Sequence, residues 1–394
     1  MPLDPESVGL IERLRRAGVT NVSSLTVAGA RRDGLMLSGT WALDDESVAI
    51  IAHLSRFGKS PTTVIAAATR LDLAVVEQLM EELQRAGFVR CRETTPEDRS
   101  WVSLVSGRRR VRQDITGVLA DLISEDPHAQ AVELEGAEDH LITHGVSVRI
   151  YRPEGGGADP LPLVLFAHGG GYVTGSIESY DSLCHSMAEL SGCAVASVGY
   201  RLAPEDPFPA AYDDMVESLR WLIEHHRSLG LDTGRLAVMG DSVGGALANA
   251  VAFTAHREGW ARVSLMVLIY PALDTTMALP TYTQFPDGPV VSAADMAWFY
   301  AHYAAPDHEW TSSPIHNPDL SDAPPSLIIT ADVDPTRDDG TVYADMLRAA
   351  GNESELVNFA GTFHGFMQFA PTLTTASRAQ RLVADEIRRR LTGS

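Results

Sequence analysis

The chain has 394 residues, 45% of them hydrophobic and 21% charged, which is enough apolar material for two globular domains and too much for a disordered chain. Its net charge of −21 is uneven: residues 1–126 hold 16 Lys and Arg against 18 Asp and Glu, and the remainder 15 against 34. So acidic a C-terminal part repels nucleic acid and anionic membrane surfaces, leaving a small molecule as the expected partner. The opening stretch MPLDPESVGLIERL places acidic residues before any apolar run, and the longest apolar candidates, LVLF and LMVLIY, fall far short of a membrane span. A cytoplasmic protein is expected. Cys91, Cys184 and Cys193 show no CxxC spacing and cannot all pair, which suits reduced, buried thiols.

In chain order, residues 44–58 (DDESVAIIAHLSRFG), 61–71 (PTTVIAAATRL) and 73–87 (LAVVEQLMEELQRAG) repeat apolar residues at helical spacing. Pro127 and the acidic residues around it in SEDPHAQ interrupt this texture, so the domain boundary is expected between 1–126 and 127–394. After it, HGVSVRIYRP, LPLVLFAHGG, GCAVASVGY, RLAVMGD, VSLMVLIYPAL, PSLIITAD and ESELVNFAG read as strands. YDSLCHSMAELSG and YDDMVESLRWLIEHHRSLG between them read as helices. Such alternation predicts an α/β fold with a mainly parallel sheet covered on both faces.

Ser242 follows the apolar run Leu236 to Met239 and precedes an alanine-rich helix in LAVMGDSVGGALANAVA. Gly240 and Gly244 flank it at G-x-S-x-G spacing, where a sharp strand-to-helix turn needs small residues two before and two after. The serine oxygen then lies at a helix N-terminus, whose N–H groups favour developing negative charge. Glycine-rich turns of this kind also bind phosphates, so the motif alone leaves a nucleophile and a tight turn both open. Upstream, LVLFAHGGGYVTGS runs from a buried strand into Gly169, Gly170 and Gly171, whose backbone N–H groups can approach an oxyanion at close range. Neither G-x-G-x-x-G nor G-K-[ST] occurs there, which disfavours a nucleotide loop.

A serine nucleophile needs a base and an orienting acid, in this fold in the order Ser, Asp or Glu, His. SLIIT ends in ADVDPTRDDG, offering Asp334 or Asp332 at the C-terminal end of a strand. Of thirteen histidines only His364, in GTFHGFMQF, lies beyond Asp334. A neutral imidazole there takes the serine proton and returns it to the leaving group.

HGGGYVTGS, YRLAPEDPFPAAYDD, GDSVGG, DPTRDDG and FHGF together resemble the hormone-sensitive lipase family of α/β-hydrolase esterases, from Glu138 to the C-terminus. The resemblance implies an α/β-hydrolase fold and a triad of Ser242, Asp334 and His364. It also implies an oxyanion hole of the Gly170, Gly171 and Val243 amides, with no cofactor or metal. His168 is implied to brace the glycine loop. Val243 stands where alanine is usual, and DPTRDDG replaces DPLRDEG; a branched side chain keeps the N–H but alters the pocket. Asp332 stays as a second candidate acid. Glu205 and Asp206 are expected to shape a turn. TYTQFPDGPVVSAADMAWFYAHY (281–303) resembles the part of the family's cap over the acyl pocket, although its aromatic residues suit a core equally well. The implied activity is a serine carboxylesterase acting on small to medium esters through an acyl-enzyme. The alternatives are an amidase or lactonase with the same triad, or a ligand-sensing, DNA-binding transcriptional regulator.

Residues 41–126 resemble a MarR-type winged helix-turn-helix, with two helices, a wing containing PEDRS and a long closing helix, a mostly α domain. The helix that would enter a DNA groove, Asp72 to Gln84, carries Asp72, Glu77, Glu81 and Glu82 and no Lys or Arg, which argues against DNA. The arginines from Arg85 to Arg112 suit a solvated face or an interface with the acidic neighbour. The expected role is a replacement for the relatives' N-terminal cap, or a joint between two subunits of a homodimer, with Arg108 to Ile123 as connector.

Overall fold

LPLVLFA and LMVLI are apolar at every position rather than at every second one, so strands made from them have to be covered on both faces. The computed structural model describes residues 3–16, 137–142, 145–155, 160–370 and 372–393, with short pieces at 60–61, 75–76, 78, 89–92 and 101–104. The chain divides into two units, residues 1–12 with 124–394, and residues 13–123.

In the first unit eight strands form one sheet: β1 (Ala137–Leu141), β2 (Ser147–Tyr151), β3 (Leu161–Ala167), β4 (Ala194–Gly199), β5 (Leu231–Asp241), β6 (Leu265–Ile269), β7 (Ser326–Val333) and β8 (Ser354–Phe363). Their spatial order is β8-β7-β6-β5-β3-β4-β2-β1. β2 is antiparallel to β1 and β4, and every other pairing is parallel. All of β6 is buried, as the unbroken apolar run requires. The helices that cover the sheet are α2 (Asp181–Ser191), α3 (Ala210–His225), α4 (Val243–Arg257), α7 (Arg337–Ala349) and α8 (Thr374–Thr392); the described residues also include α5 (Thr281–Gln284), α6 (Ala293–Tyr303) and α1 (Pro5–Arg16), whose last residues run past the boundary at residue 12. α4 packs on β3, β5 and β6 with α3 beside it, α8 pairs with α2, and α7 covers β7 and β8. Strand order reverses at β3, whose neighbours are β4 and β5, and this opens a crevice at the carboxyl ends of the strands.

All seven expected strands are present, with shifted ends. β5 starts at Leu231 rather than Arg235, because Leu231 and Asp232 already pair with Leu161 and Pro162 of β3; the pairing slips after them, where the Asp232 carboxylate accepts the Gly234 N–H (2.9 Å). β1 was not expected: AEDHL lacks apolar alternation and is mostly exposed, as an edge strand with one partner can be.

The first helix begins at a local signal. Asp4 accepts the Ser7 amide (2.8 Å) with Pro5 at the first helical position, a capping arrangement. Leu10 and Ile11 are buried, the Asp4 amide donates to the Gly361 carbonyl (2.9 Å), and Glu6 takes the Thr374 amide (2.8 Å) at the start of α8. These contacts are why residues 1–12 group with 124–394. The expected division at 126/127 lies outside the described residues, as do the helices expected over 44–123 except at 75–76 and 78, which are helical. In the second unit, residues 101–104 pair antiparallel with both 60–61 and 89–92.

Glu6 reaches across the chain to an orphan donor at a helix N-terminus, so Glu6→Ala should destabilise the hydrolase unit by about 0.5–2 kcal/mol. The change should appear as a lower midpoint in thermal or urea unfolding, with secondary structure retained.

Candidate active site

β5 ends at Asp241 and α4 starts at Val243, so Ser242 alone makes the turn. Its φ of 56° and ψ of −125° lie where L-residues are strained. Three backbone bonds hold it: its amide donates to the Ile269 carbonyl (2.9 Å), and its carbonyl accepts from the Gly245 and Ala272 amides (both 3.0 Å). A Cβ on Gly240 would overlap the Gly244 carbonyl, and one on Gly244 would overlap the Ala167 carbonyl at the end of β3. The spacing of glycines around the serine therefore reflects backbone meeting backbone.

β7 and β8 deliver the other two polar groups. His364 Nε2 lies 2.9 Å from Ser242 Oγ, and His364 Nδ1 lies 2.9 Å from Asp334 Oδ2. The far oxygen of Asp334 accepts from the Thr336 amide (2.8 Å) and hydroxyl (3.0 Å), so the carboxylate is oriented before it meets the ring. All three side chains are buried, Asp334 completely. Burial pushes the His364 imidazole down, but the charge and hydrogen bond of Asp334, helped by Asp241, more than offset it, and its pKa lies above the ordinary histidine value. Asp332, the second candidate acid, faces elsewhere: its carboxylate accepts the Gly361 amide (3.2 Å) and lies 3.9 Å from Arg337.

The amides of Gly170, Gly171 and Val243 donate to no acceptor among the described residues. Each is aimed through the carbonyl of its own peptide unit, because that unit is planar and trans. The Gly169 carbonyl accepts from His168 Nδ1 (2.7 Å), the Gly170 carbonyl from the Val173 and Thr174 amides (3.1 and 2.9 Å), and the Ser242 carbonyl as above. His168 is buried, stacks on Tyr200 at 4.1 Å, and burial lowers its pKa to about 4, so it is a neutral Nδ1–H donor. No cluster of three or more His, Cys, Asp or Glu that could hold a metal occurs among the described residues. Glu205 and Asp206 lie in a turn, where the Asp206 amide donates to the Leu202 carbonyl (3.0 Å).

Two aromatic residues of 281–303 lie against the glycine loop. Ser292 and Asp295 form a capping box that starts α6. One turn apart on that helix, Phe299 lies against Gly171, so closely that a Cβ there would overlap its ring, and Tyr303 stacks on Tyr172 at 3.7 Å. Both are buried.

A family model described as the alpha/beta hydrolase fold matches residues 164–368, more than half of the chain and every residue of this constellation. The chain belongs to the alpha/beta hydrolase fold family. Among its relatives, this alpha/beta hydrolase is similar to the ethyl acetate hydrolase of Pseudomonas putida, 34% identical over 81% of this chain and 98% of that protein. It is also similar to the carboxylesterase NlhH of Mycobacterium tuberculosis, 38% identical over 59% of this chain and 75% of that one. Among solved structures, an esterase of Pyrobaculum calidifontis has a TM-score of 0.61 and 39% identity over 65% of this chain and 85% of its own. An ester-hydrolase from the metagenome of Lake Arreo, complexed with a derivative of bipyridine phosphonate, has a TM-score of 0.65 and 33% identity over 82% and 98%.

Sequence reasoning missed two members of this hydrolase site. Thr336 carries a weak signal, a hydroxyl two residues after the acid. Asp241 carries a stronger one, a lone charge in an otherwise small and apolar run, and it is buried beside Ser242.

The contact between Phe299 and Gly171 is open to test. Gly171→Ala should lower kcat/KM for an aryl acetate by about 100-fold or more, by moving an oxyanion donor. Adding Phe299→Ala should restore part of that loss, and the φ of 65° at position 171 should keep the rest. Double-mutant kinetics reads both.

Proposed function

We infer that the chain is a serine carboxylesterase that hydrolyses small to medium carboxylic esters by acyl transfer. The single observation that carries this is the hydrogen-bonded line Ser242–His364–Asp334 ending beside three uncommitted backbone amides. In this reading His364 Nε2 takes the proton of Ser242 Oγ as the oxygen attacks the ester carbonyl. The negative charge moves to the carbonyl oxygen, where the Gly170, Gly171 and Val243 amides face it. His364 then gives its proton to the departing alkoxide, leaving an acyl-serine. Water attacks this ester with its proton passing to His364, and collapse returns the proton to Ser242 and releases the acid. Asp334 keeps the imidazole in the Nδ1–H tautomer and stabilises the imidazolium. No step calls for a metal or an organic cofactor.

The HGGG and GDSVGG stretches support placing the chain in the hormone-sensitive lipase group of the family. The same triad would cleave an amide or a lactone, since the leaving group is chosen by the pocket. For the second unit, the antiparallel order of residues 60–61, 101–104 and 89–92 supports the winged-helix resemblance, and the acidic 72–84 segment favours subunit joining in a homodimer over DNA binding. Buried, unpaired Cys184 and Cys193 support a cytoplasmic setting.

Wild-type protein should hydrolyse p-nitrophenyl acetate and butyrate, and Ser242→Ala should fall to the uncatalysed background; equal turnover by both would remove the mechanism. Because His364 must be neutral to accept a proton and its pKa is raised, kcat/KM should decline as pH falls, with a midpoint above 6.5. Asp334→Asn leaves burial without the compensating charge, so the midpoint should move down while kcat drops by about 10⁴-fold. A pH–rate profile measures both effects.

A further inference from the structure

A second buried carboxylate, one residue before the nucleophile, is not used in the acyl-transfer steps. Asp241 is 1% exposed, and every hydrogen-bond partner it has is neutral. Its Oδ1 accepts the Gly169 amide at 2.7 Å; its Oδ2 accepts the Tyr180 hydroxyl at 3.0 Å and, more weakly, the Gln368 side-chain amide at 3.4 Å. The Tyr180 oxygen accepts in turn from the Gln368 side chain (2.7 Å) and the Gly169 amide (3.1 Å). Burial pushes the Asp241 carboxyl up to about 6, against the pull of these donors and of His364. A carboxylate buried without a cation opposes folding unless its donors are fixed in place, so the site is built around it.

Asp241 and two of its partners, Gly169 and Gln368, belong to different parts of the site. Gly169 opens the glycine loop after β3, Asp241 is the last residue of β5 before the Ser242 turn, and Gln368 lies in the single turn of helix that follows His364. We propose that Asp241 is a positioning residue for ester hydrolysis, one carboxylate that holds the oxyanion loop, the serine turn and the histidine loop in register. This rests on the esterase reading above. The action is indirect. Asp241 grips the N–H of Gly169 while His168 grips its carbonyl, so the residue is held on both sides and the Gly170 amide across the second peptide has one direction. Without Asp241 the Gly169 residue keeps the bond from His168 to its carbonyl and, on its amide, the longer Tyr180 contact. The oxyanion donors then lose aim before the fold loses stability.

Aryl ester and aryl thionoester substrates tell a donor that has lost aim from general damage, because an oxyanion hole built for oxygen stabilises a developing thiolate poorly. Wild type, Ser242→Ala, Asp241→Asn and Tyr180→Phe would be assayed with p-nitrophenyl acetate and its thiono analogue, with thermal melting alongside. Tyr180→Phe keeps the ring against Phe166 and His168, and it carries the test if the aspartate variant does not fold. Asp241→Asn should lower kcat for the oxygen ester by about 10- to 100-fold with KM within about three-fold, and should narrow the oxygen-to-sulfur preference by a similar factor. Tyr180→Phe should move the same way by a few-fold. Wild-type kcat in folded variants, or equal losses on both substrates, would overturn the proposal while leaving the esterase reading in place. No turnover by wild type, or equal turnover by Ser242→Ala, would overturn the esterase reading and this inference with it.

Discussion

A peptide unit is flat, so anchoring its carbonyl oxygen also sets the direction of the N–H on its far side. The amides of Gly170, Gly171 and Val243 are all aimed in this way, each by a different donor: an imidazole, the loop's own backbone, and the backbone after β6. A donor that has to point at a charge not yet formed cannot be held by a bond of its own, since that bond would have to break for each substrate. Fixing it from behind leaves it free and oriented at once, which is the condition for electrostatic stabilisation without reorganisation. The requirement spreads outward. Ala272 supplies one of these bonds, so the chain after β6 has to be in place before the serine turn is complete. His168 supplies another, as an imidazole that its burial keeps neutral.

The charges at the site follow the same logic of held donors. Asp334 is wholly buried but accepts from His364 and twice from Thr336, so its oxygens are satisfied without an arginine or lysine. Asp214 shows the other solution: it too is buried, and the Arg201 side chain bonds both of its oxygens. An arginine beside Asp334 would draw the carboxylate's field away from the imidazole and lower the basicity that proton transfer needs. The raised pKa of His364 thus depends on what is left out of its surroundings as much as on the aspartate itself. A net charge of −21 over the whole chain is compatible with this, because the site's own fields act over a few ångströms in a dry interior while surface charge is screened.

Much of the hydrolase unit could be read from the sequence because its strands are apolar runs with few rivals for burial. LPLVLFA and SLIIT had nowhere to go but a sheet interior. The serine, the two glycines around it and the single histidine past Asp334 were legible as well, since a strand-to-helix turn admits few residue types and chain order leaves one base. The choice between Asp332 and Asp334 was not. Both sit where β7 ends, two residues apart, and what separates them is tertiary: one carboxylate accepts the Gly361 amide and the other meets His364. β1 was invisible for a different reason: an edge strand held by one neighbour needs no hydrophobic pattern. Asp241 was visible as a letter and silent as a partner, because its donors lie 72, 61 and 127 residues away along the chain.

The beginning of the chain shows how far a contact can outrank sequence order. Asp4 and Glu6 belong to the hydrolase unit by their bonds to Gly361 and Thr374, and Leu10 and Ile11 by burial, although residues 13–123 intervene before the sheet begins. The second unit is therefore an insertion in the first rather than a preface to it, and it is tied to the hydrolase at both of its ends. Gly361 and Thr374 bracket His364, so the segment that leads into the insertion is bonded to the same stretch of chain that carries this histidine. The hydrogen bond between Asp334 and His364 keeps the ring in line with Ser242.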